Sequence, residues 1–292
     1  MVTTIGLQTL HIAFDGHQVA VHSNAPEVLA GLKRSFQEML TTDSNGPVGQ
    51  LEVWQKDGAY HIRGSKGVKF RNGSLADVLC CLRYEVALHL IQARPDLLWL
   101  LAGAVAYQGH AVIISGLSGR GKSTLVTKLC ALGWTYLSDN IIPLDPTSDK
   151  ILPFPQTPMV CEGVGQKEVP WYLLRELRKT EITLKPETVC RAPAPVGALI
   201  FPNYDPRSPI GLLSCSPETA TLGLLENSLS FVTHREAAVR YLGKLMKRIP
   251  AFRLPFNNGD FAAELVTRVC QNGRLFEHPF PNQIRETSIS LS

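Results

Sequence analysis

The chain lacks any long apolar run. Nowhere do about 18 apolar residues follow one another, the length a membrane helix needs, so no membrane span is expected. It also lacks an excess of either charge. The 29 Lys and Arg stand against 25 Asp and Glu, a net charge of +4, and the basic residues are scattered, so no nucleic-acid partner is expected. The N-terminus has no basic segment leading into an apolar one, and no secretory signal is expected. Cys80, Cys81, Cys130, Cys161, Cys190, Cys215 and Cys270 are odd in number and form no C-x-x-C pair. That argues against a metal site and for buried free thiols in a reducing compartment, so a cytoplasmic location is expected. What remains is an ordinary globular composition, 45% apolar and 18% charged, over 292 residues. Such a length suits one large domain or two unequal ones.

The most informative stretch runs from Gly116 to Thr124, GLSGRGKST. It meets every fixed position of the phosphate-binding pattern G-x-x-x-x-G-K-[ST]. Ala111 to Ser115 before it is an unbroken apolar run, as in a strand buried on both faces. Thr124 to Leu132 after it has helical periodicity and is closed by Gly133. Glycines at 116, 119 and 121 allow the backbone to turn tightly and to aim N–H groups at an anion. The start of a helix adds its dipole and unpaired N–H groups to the same field. Gly116, Ser118, Gly119, Arg120, Gly121, Lys122, Ser123 and Thr124 are therefore the expected nucleotide-binding residues. Lys122 would reach the outer phosphates, and the Ser123 hydroxyl would ligate magnesium between them. The competing interpretation is a glycine-rich turn with no ligand.

Upstream, residues 3–22 alternate around Asp15-Gly16 as a β-hairpin, and a helix is expected from Pro26 to Leu40 with Asn24 near its cap. Gln50–Trp54, Tyr60–Arg63 and Val68–Phe70 read as short antiparallel strands. Ser74 can cap a long helix reaching Ala93, which Pro95 ends. His11, His17, His22 and His61 lack the clustered spacing of a metal site. This part shows no catalytic constellation and reads as an α+β module for docking an acceptor or for oligomerisation.

Leu97 to Tyr107 reads as one apolar strand turning through Gln108-Gly109 into the strand before the loop. After the loop helix, Trp134 to Leu137 is a short strand followed by Ser138, Asp139 and Asn140. A carboxylate ending such a strand is where P-loop folds hold magnesium, so Asp139 is the expected metal ligand or base. The competing interpretation of Asp139 is an ordinary turn residue. Pro143, Pro146, Pro153, Pro155 and Pro158 then loosen the pattern, leaving strand fragments at Ile151-Leu152 and Met159-Val160. A helix is expected over Trp171–Lys179. Glu162 and Glu168 could assist magnesium and Arg191 the transferring phosphoryl, or all three could lie on a solvated surface. Gly197 to Phe201 is a buried strand ended by Pro202, with Arg207 just past the corner, where α/β sheets place ligand contacts. Helices are expected over Pro217–Leu225, Arg235–Arg248 and Phe261–Asn272, with Phe252–Leu254 as a short edge strand. His234 and Arg235 read as helix-start residues.

From about Leu97 onward the chain resembles the catalytic domain of HPr kinase/phosphorylase and its related kinases, which share a P-loop core with phosphoenolpyruvate carboxykinases. LAGAVA (101–106), GLSGRGKST (116–124), LSDN (137–140) and ALIFPNYDP (198–206) carry the likeness. The resemblance implies an α/β fold, α+β overall, with a P-loop core whose mixed central sheet is flanked by helices. A smaller α+β module would precede it. The expected division is residues 1–96, 97–277 and a tail, 278–292. It also implies ATP and Mg2+ as cofactors and a peptide or protein acceptor bearing a serine. Lys122 and Asp139 would be the catalytic residues, Ser123 and Asp139 the metal ligands. By analogy a homo-oligomer is expected. Two positions depart from the family pattern. Leu101 stands where members carry a histidine, and Asn140 stands where the second of two aspartates is usual. Leu101 can neither ligate a metal nor move a proton, and Asn140 carries no charge. A lost base costs about 10²–10⁴-fold in rate, so a nucleotide-binding pseudokinase stands beside the kinase, with a small-molecule kinase or NTPase as a third possibility.

Overall fold

Two Asp-Gly steps set the register of the N-terminal strands. Asp15 (φ 48°) and Gly16 (φ 78°) turn β1 (Gln8–Phe14) into β2 (His17–Ser23), the left-handed pair that a two-residue hairpin requires. The computed structural model describes residues 7–43, 46–64, 67–161, 179–229 and 235–276. The chain divides into two compact units, Met1–Pro95 and Asp96–Ser292.

In the first unit, α1 (Pro26–Ser35) begins with Pro26, whose fixed φ suits the first turn. Asn24 lies beside its cap, as expected, but does not cap it. Ala25 occupies the N-cap with no side-chain bond, while Asn24 Oδ1 instead accepts from the Gln55 N–H at 3.2 Å. The helix stops at Ser35, and a short 3-10 turn over Gln37–Met39 leads into β3 (Leu40–Thr41). β4 (Gly49–Lys56) and β5 (Ala59–Gly64) are joined through Asp57 and Gly58, and β6 (Gly67–Gly73) comes next. α2 (Leu75–Ala93) opens on a capping box: Ser74 Oγ accepts from the Asp77 N–H, and the Asp77 carboxylate accepts from that of Ser74. The sheet order is β3-β1-β2-β4-β5-β6, with β2 and β4 parallel and the other pairs antiparallel. Ile12, Val19, Val21, Val28, Leu32, Leu51, Val53, Ile62, Leu82 and Val86 are fully buried and form its core.

The second unit begins where one long strand was expected. The run breaks at Leu101 into β7 (Leu98–Leu100) and β8 (Ala102–Tyr107), where the Leu101 N–H bonds the Asn227 carbonyl at 2.7 Å. Gln108 (φ 49°) and Gly109 (φ 83°) then fold β8 onto β9 (His110–Ser115), so the two lie antiparallel. Next come α3 (Lys122–Ala131), β10 (Thr135–Ser138), β11 (Ile142–Asp145), β12 (Lys150–Ile151), β13 (Met159–Cys161) and β14 (Lys179–Glu181). The chain continues through β15 (Ala194–Tyr204), β16 (Leu213–Ser214), α4 (Pro217–Leu225), α5 (Arg235–Met246), β17 (Ala251–Phe256) and α6 (Gly259–Gln271). Most of the expected helix over Trp171–Lys179, together with Glu162, Glu168 and His234, lies outside the described residues, as does the segment from 278.

The main sheet runs β10-β8-β9-β15-β12-β11-β7, with β17 also on β15 and β16 on β17. β15 runs parallel to both β9 and β17, inside a sheet whose other pairs are antiparallel. On one face, Ala102, Ala104, Ile113 and Leu199 meet Ala220 and Leu224 of α4 and Ala238, Leu242 and Leu245 of α5. On the other, Val105, Val112, Ile114, Ala198 and Ile200 meet Leu125, Val126 and Leu129 of α3 and Ala262 and Val266 of α6. The result is a mixed sheet with helices on both faces, the α/β architecture expected. Two local expectations are corrected. Pro202 does not end β15: pairing with β9 stops at Ile200, so the missing proline N–H costs no ladder bond on that side. Nor is β17 an edge strand, since β16, a two-residue strand drawn from a loop, pairs with its outer side.

Trp134, wholly buried, lies just past the loop helix and donates its indole N–H to Thr267 of α6 at 2.9 Å. Thr267→Val keeps the shape and removes the acceptor. It should cost about 1–3 kcal/mol and lower the melting temperature by several degrees in a thermal scan.

Candidate phosphate-binding site

The loop is shaped by glycine where no other residue fits. Gly116 (φ 141°), Gly119 (φ 80°) and Gly121 (φ 90°) carry its turns. At Gly121 a Cβ would also fall 2.6 Å from Cζ of Phe256, so both backbone and space demand glycine. Gly121 is the N-cap of α3, and its carbonyl accepts a helical bond from the Leu125 N–H at 2.9 Å. The N-terminus of α3 thus opens directly off the loop, the arrangement an anion site uses. Ser118 and Gly119 lie on the exposed rim. Thr124 has its methyl beside the start of α6, where a Cβ on Gly259 would stand 3.1 Å away, and Lys128 pairs with Asp260 at 2.7 Å. These contacts fix α3 and hence the direction in which the loop opens.

Lys122 Nζ donates to the carbonyls of Gly116 and Leu117, at 2.7 and 3.0 Å. Its ammonium therefore closes over the loop it belongs to. Burial pulls its pKa down, and the neighbouring Asp139 carboxylate opposes that shift. Asp139, just past the end of β10, is 1% exposed. Neither carboxylate oxygen has a partner in hydrogen-bonding geometry among the described residues. Burial drives its pKa upward. The Ser123 hydroxyl, the Lys122 ammonium and the N–H groups of Asn140 and Met159 lie near enough to oppose that rise in part. Space for this carboxylate comes from Gly103 on β8, where a Cβ would meet Asp139 Oδ1 at 3.4 Å and Val126 Cγ2 at 2.6 Å.

A buried carboxylate with both oxygens unpartnered, beside a serine hydroxyl and a lysine, fits a hard divalent cation. Among the described residues no three His, Cys, Asp or Glu side chains gather into a metal cluster. A magnesium ion bound with a nucleotide would need only one or two protein carboxylates, the rest of its shell coming from phosphate and water. Ser123 and Asp139 are the side chains present for it.

The structure brings Lys122, Ser123 and Asp139 together, and among the described residues it gives the other sequence candidates no comparable setting. Asn140 is exposed and left-handed (φ 73°), a conformation asparagine tolerates better than most residues. Leu101 is 42% exposed at the break between β7 and β8, and Leu117 of the loop is 61% exposed. Arg191 is exposed, and Arg235 stands in the first turn of α5. The Arg207 side chain is 93% exposed, with a 3.8 Å approach to Asp205. Three supporting residues escape a reading of the sequence. Gly103 and Asn203 sit within motifs whose letters do not show what they touch. Phe256 has no local signal, because its role depends on β17 lying next to β15.

Fold and site together define an α/β unit with a glycine loop of the phosphate-binding pattern at the carboxyl end of a parallel strand. A scan of protein-family models matched none, and a search of curated proteins found no relative. Among solved structures, the chain is similar to the HPr(Ser) kinase/phosphatase from Coxiella burnetii at 18% identity. That match covers 61% of this chain and 90% of the other, with a TM-score of 0.33. A likeness this remote carries no argument about activity.

The raised pKa of Asp139 has a definite consequence for stability. A carboxyl whose folded pKa lies above its unfolded value favours folding below the unfolded pKa, and that contribution is lost as pH rises through the folded pKa. At neutral pH Asp139 therefore costs stability. Asp139→Asn should stabilise the ligand-free protein at pH 7 by about 1–3 kcal/mol, read as a higher melting temperature. The gain should shrink below about pH 4, where the unfolded carboxyl is also protonated.

Proposed function

We propose that the second unit binds ATP with magnesium and transfers the γ-phosphoryl group to a hydroxyl, that of a serine in a peptide or protein acceptor. The observation that carries this reading is the buried, unpartnered Asp139 carboxylate beside the Lys122–Ser123 end of a well-formed phosphate loop. A buried carboxyl with a raised pKa next to a phosphate-loop pattern supports a functional role for that group.

The loop amides and Lys122 would bind and orient the phosphates. Lys122 would exchange its present bonds to the Gly116 and Leu117 carbonyls for phosphate oxygens. Ser123 and Asp139 would hold magnesium, which supplies charge neutralisation on the phosphates. In the transfer, the acceptor oxygen bonds to the γ-phosphorus, the bond to the β-phosphate oxygen breaks, and ADP leaves. The acceptor proton goes to solvent while Asp139 holds the metal, or to Asp139 if it serves as the base instead of a metal ligand. Phosphoryl transfer depends chiefly on positioning and charge, so it does not require the family's missing histidine.

A second reading, nucleotide binding without transfer, is favoured by Leu101 and Asn140. One is an exposed apolar side chain where a histidine would serve, and the other is uncharged and exposed. A small-molecule kinase or NTPase is the third.

One experiment separates them: mass spectrometry of candidate acceptor peptides, free serine, free threonine and released phosphate after incubation with ATP and magnesium. The expected result is a phosphorylated peptide, reduced about 10²–10³-fold by Lys122→Ala. Saturable ATP binding with no product from any acceptor would favour the second reading. In that case, activity gained by Leu101→His with Asn140→Asp would locate the loss.

A further inference from the structure

We infer that Asn203 is a positioning residue for the nucleotide's phosphates, acting through Arg120 to hold the loop in its binding shape. The inference rests on the nucleotide reading above and adds a part to the same site. A loop with three glycines at positive φ loses much conformational freedom when it is held in one shape. If nothing held it beforehand, that loss would be subtracted from the free energy of binding.

Two bonds from the end of β15 hold it. The Arg120 guanidinium donates through Nη1 to Asn203 Oδ1 at 2.9 Å, and the Arg120 carbonyl accepts from the Tyr204 N–H at 3.3 Å. One residue of the loop is thus gripped by side chain and by backbone, from two consecutive residues of a neighbouring strand. The anchor is itself fixed. Asn203 and Tyr204 pair with Pro255 and Phe256 of β17, and the Asp205 N–H bonds the Phe256 carbonyl at 2.9 Å. The Tyr204 ring meets the Phe256 ring edge-on at 5.5 Å, and the Phe256 ring lies against Gly121. The loop is therefore clamped by the ends of β15 and β17. Within that clamp, Arg120 to Asn203 is a side-chain link that substitution can break without touching a glycine or the backbone.

This link is exposed. An exposed hydrogen bond adds little to global stability, because water replaces it readily. Its effect on a flexible loop is different, since it selects one shape among many. Asn203→Ala should leave the melting temperature within error of wild type yet weaken ATP binding in the presence of magnesium about threefold to tenfold. Asn203→Asp keeps an acceptor for the guanidinium and should recover part of the lost affinity, the added carboxylate opposing the phosphates. Arg120→Ala and the double variant complete a cycle in which the second substitution adds less than it does alone.

The measurement is calorimetric titration of ATP with magnesium into the full chain, alongside thermal scans of each variant. If wild type binds and Asn203→Ala binds equally well, the latch is wrong and the nucleotide reading stands. A loss of which Asn203→Asp recovers nothing, or one that accompanies a fall in melting temperature, also overturns it by reducing Asn203 to a structural role. Absence of saturable binding by wild type would overturn the nucleotide reading and the latch with it.

Discussion

The second unit depends on one constraint: β9, β15 and β17 run side by side in the same direction. Parallel neighbours bring their carboxyl ends to one edge of the sheet, and the chain leaves that edge through loops rather than tight hairpins. Ser115, Tyr204 and Phe256 are those ends, and each contributes to one place. β9 supplies the glycine loop, β15 the residues that grip it, and β17 the ring against Gly121. The antiparallel strands around this trio extend the sheet, and β10, paired on the far side of β8, adds Asp139.

Burial gives the site its character. Leu125, Val126 and Trp134 are wholly buried around α3, and the same exclusion of water raises the pKa of Asp139 and lowers that of Lys122. The opposed shifts have one cause, since low polarity disfavours either charge. Each group then helps to keep the other ionised, with the Ser123 hydroxyl aiding the carboxylate. A chain selected for stability alone would place an apolar side chain at position 139, because an unpartnered buried carboxylate is among the more expensive groups a core can hold.

The loop, its strand and its helix were legible in the sequence because every requirement there is local. Glycines at fixed steps, an apolar run before them and a helical period after them all fall within one short segment. The place of Asp139, just past a short strand, was legible for the same reason, one helix and one strand further on. The features that stayed hidden are long-range. Asn203 meets Arg120 and Phe256 meets Gly121 only once β15 and β17 lie side by side, and no local pattern encodes that adjacency. The break at Leu101 was hidden too, since the backbone bond made there reaches to Asn227. In the first unit, Asp-Gly turns and the Ser74 cap were read directly, whereas Asn24 proved to serve a strand rather than the helix beside it.

Asn140 and Asp139 are adjacent in the chain yet held by opposite means. Asn140 stands exposed in the left-handed region, where asparagine and aspartate are both tolerated and differ by a single formal charge. Exchange between them leaves the backbone where it is and disturbs no packed side chain. Position 140 can thus change its charge without moving a packed side chain, whereas Asp139, one residue earlier, is held by the burial around it.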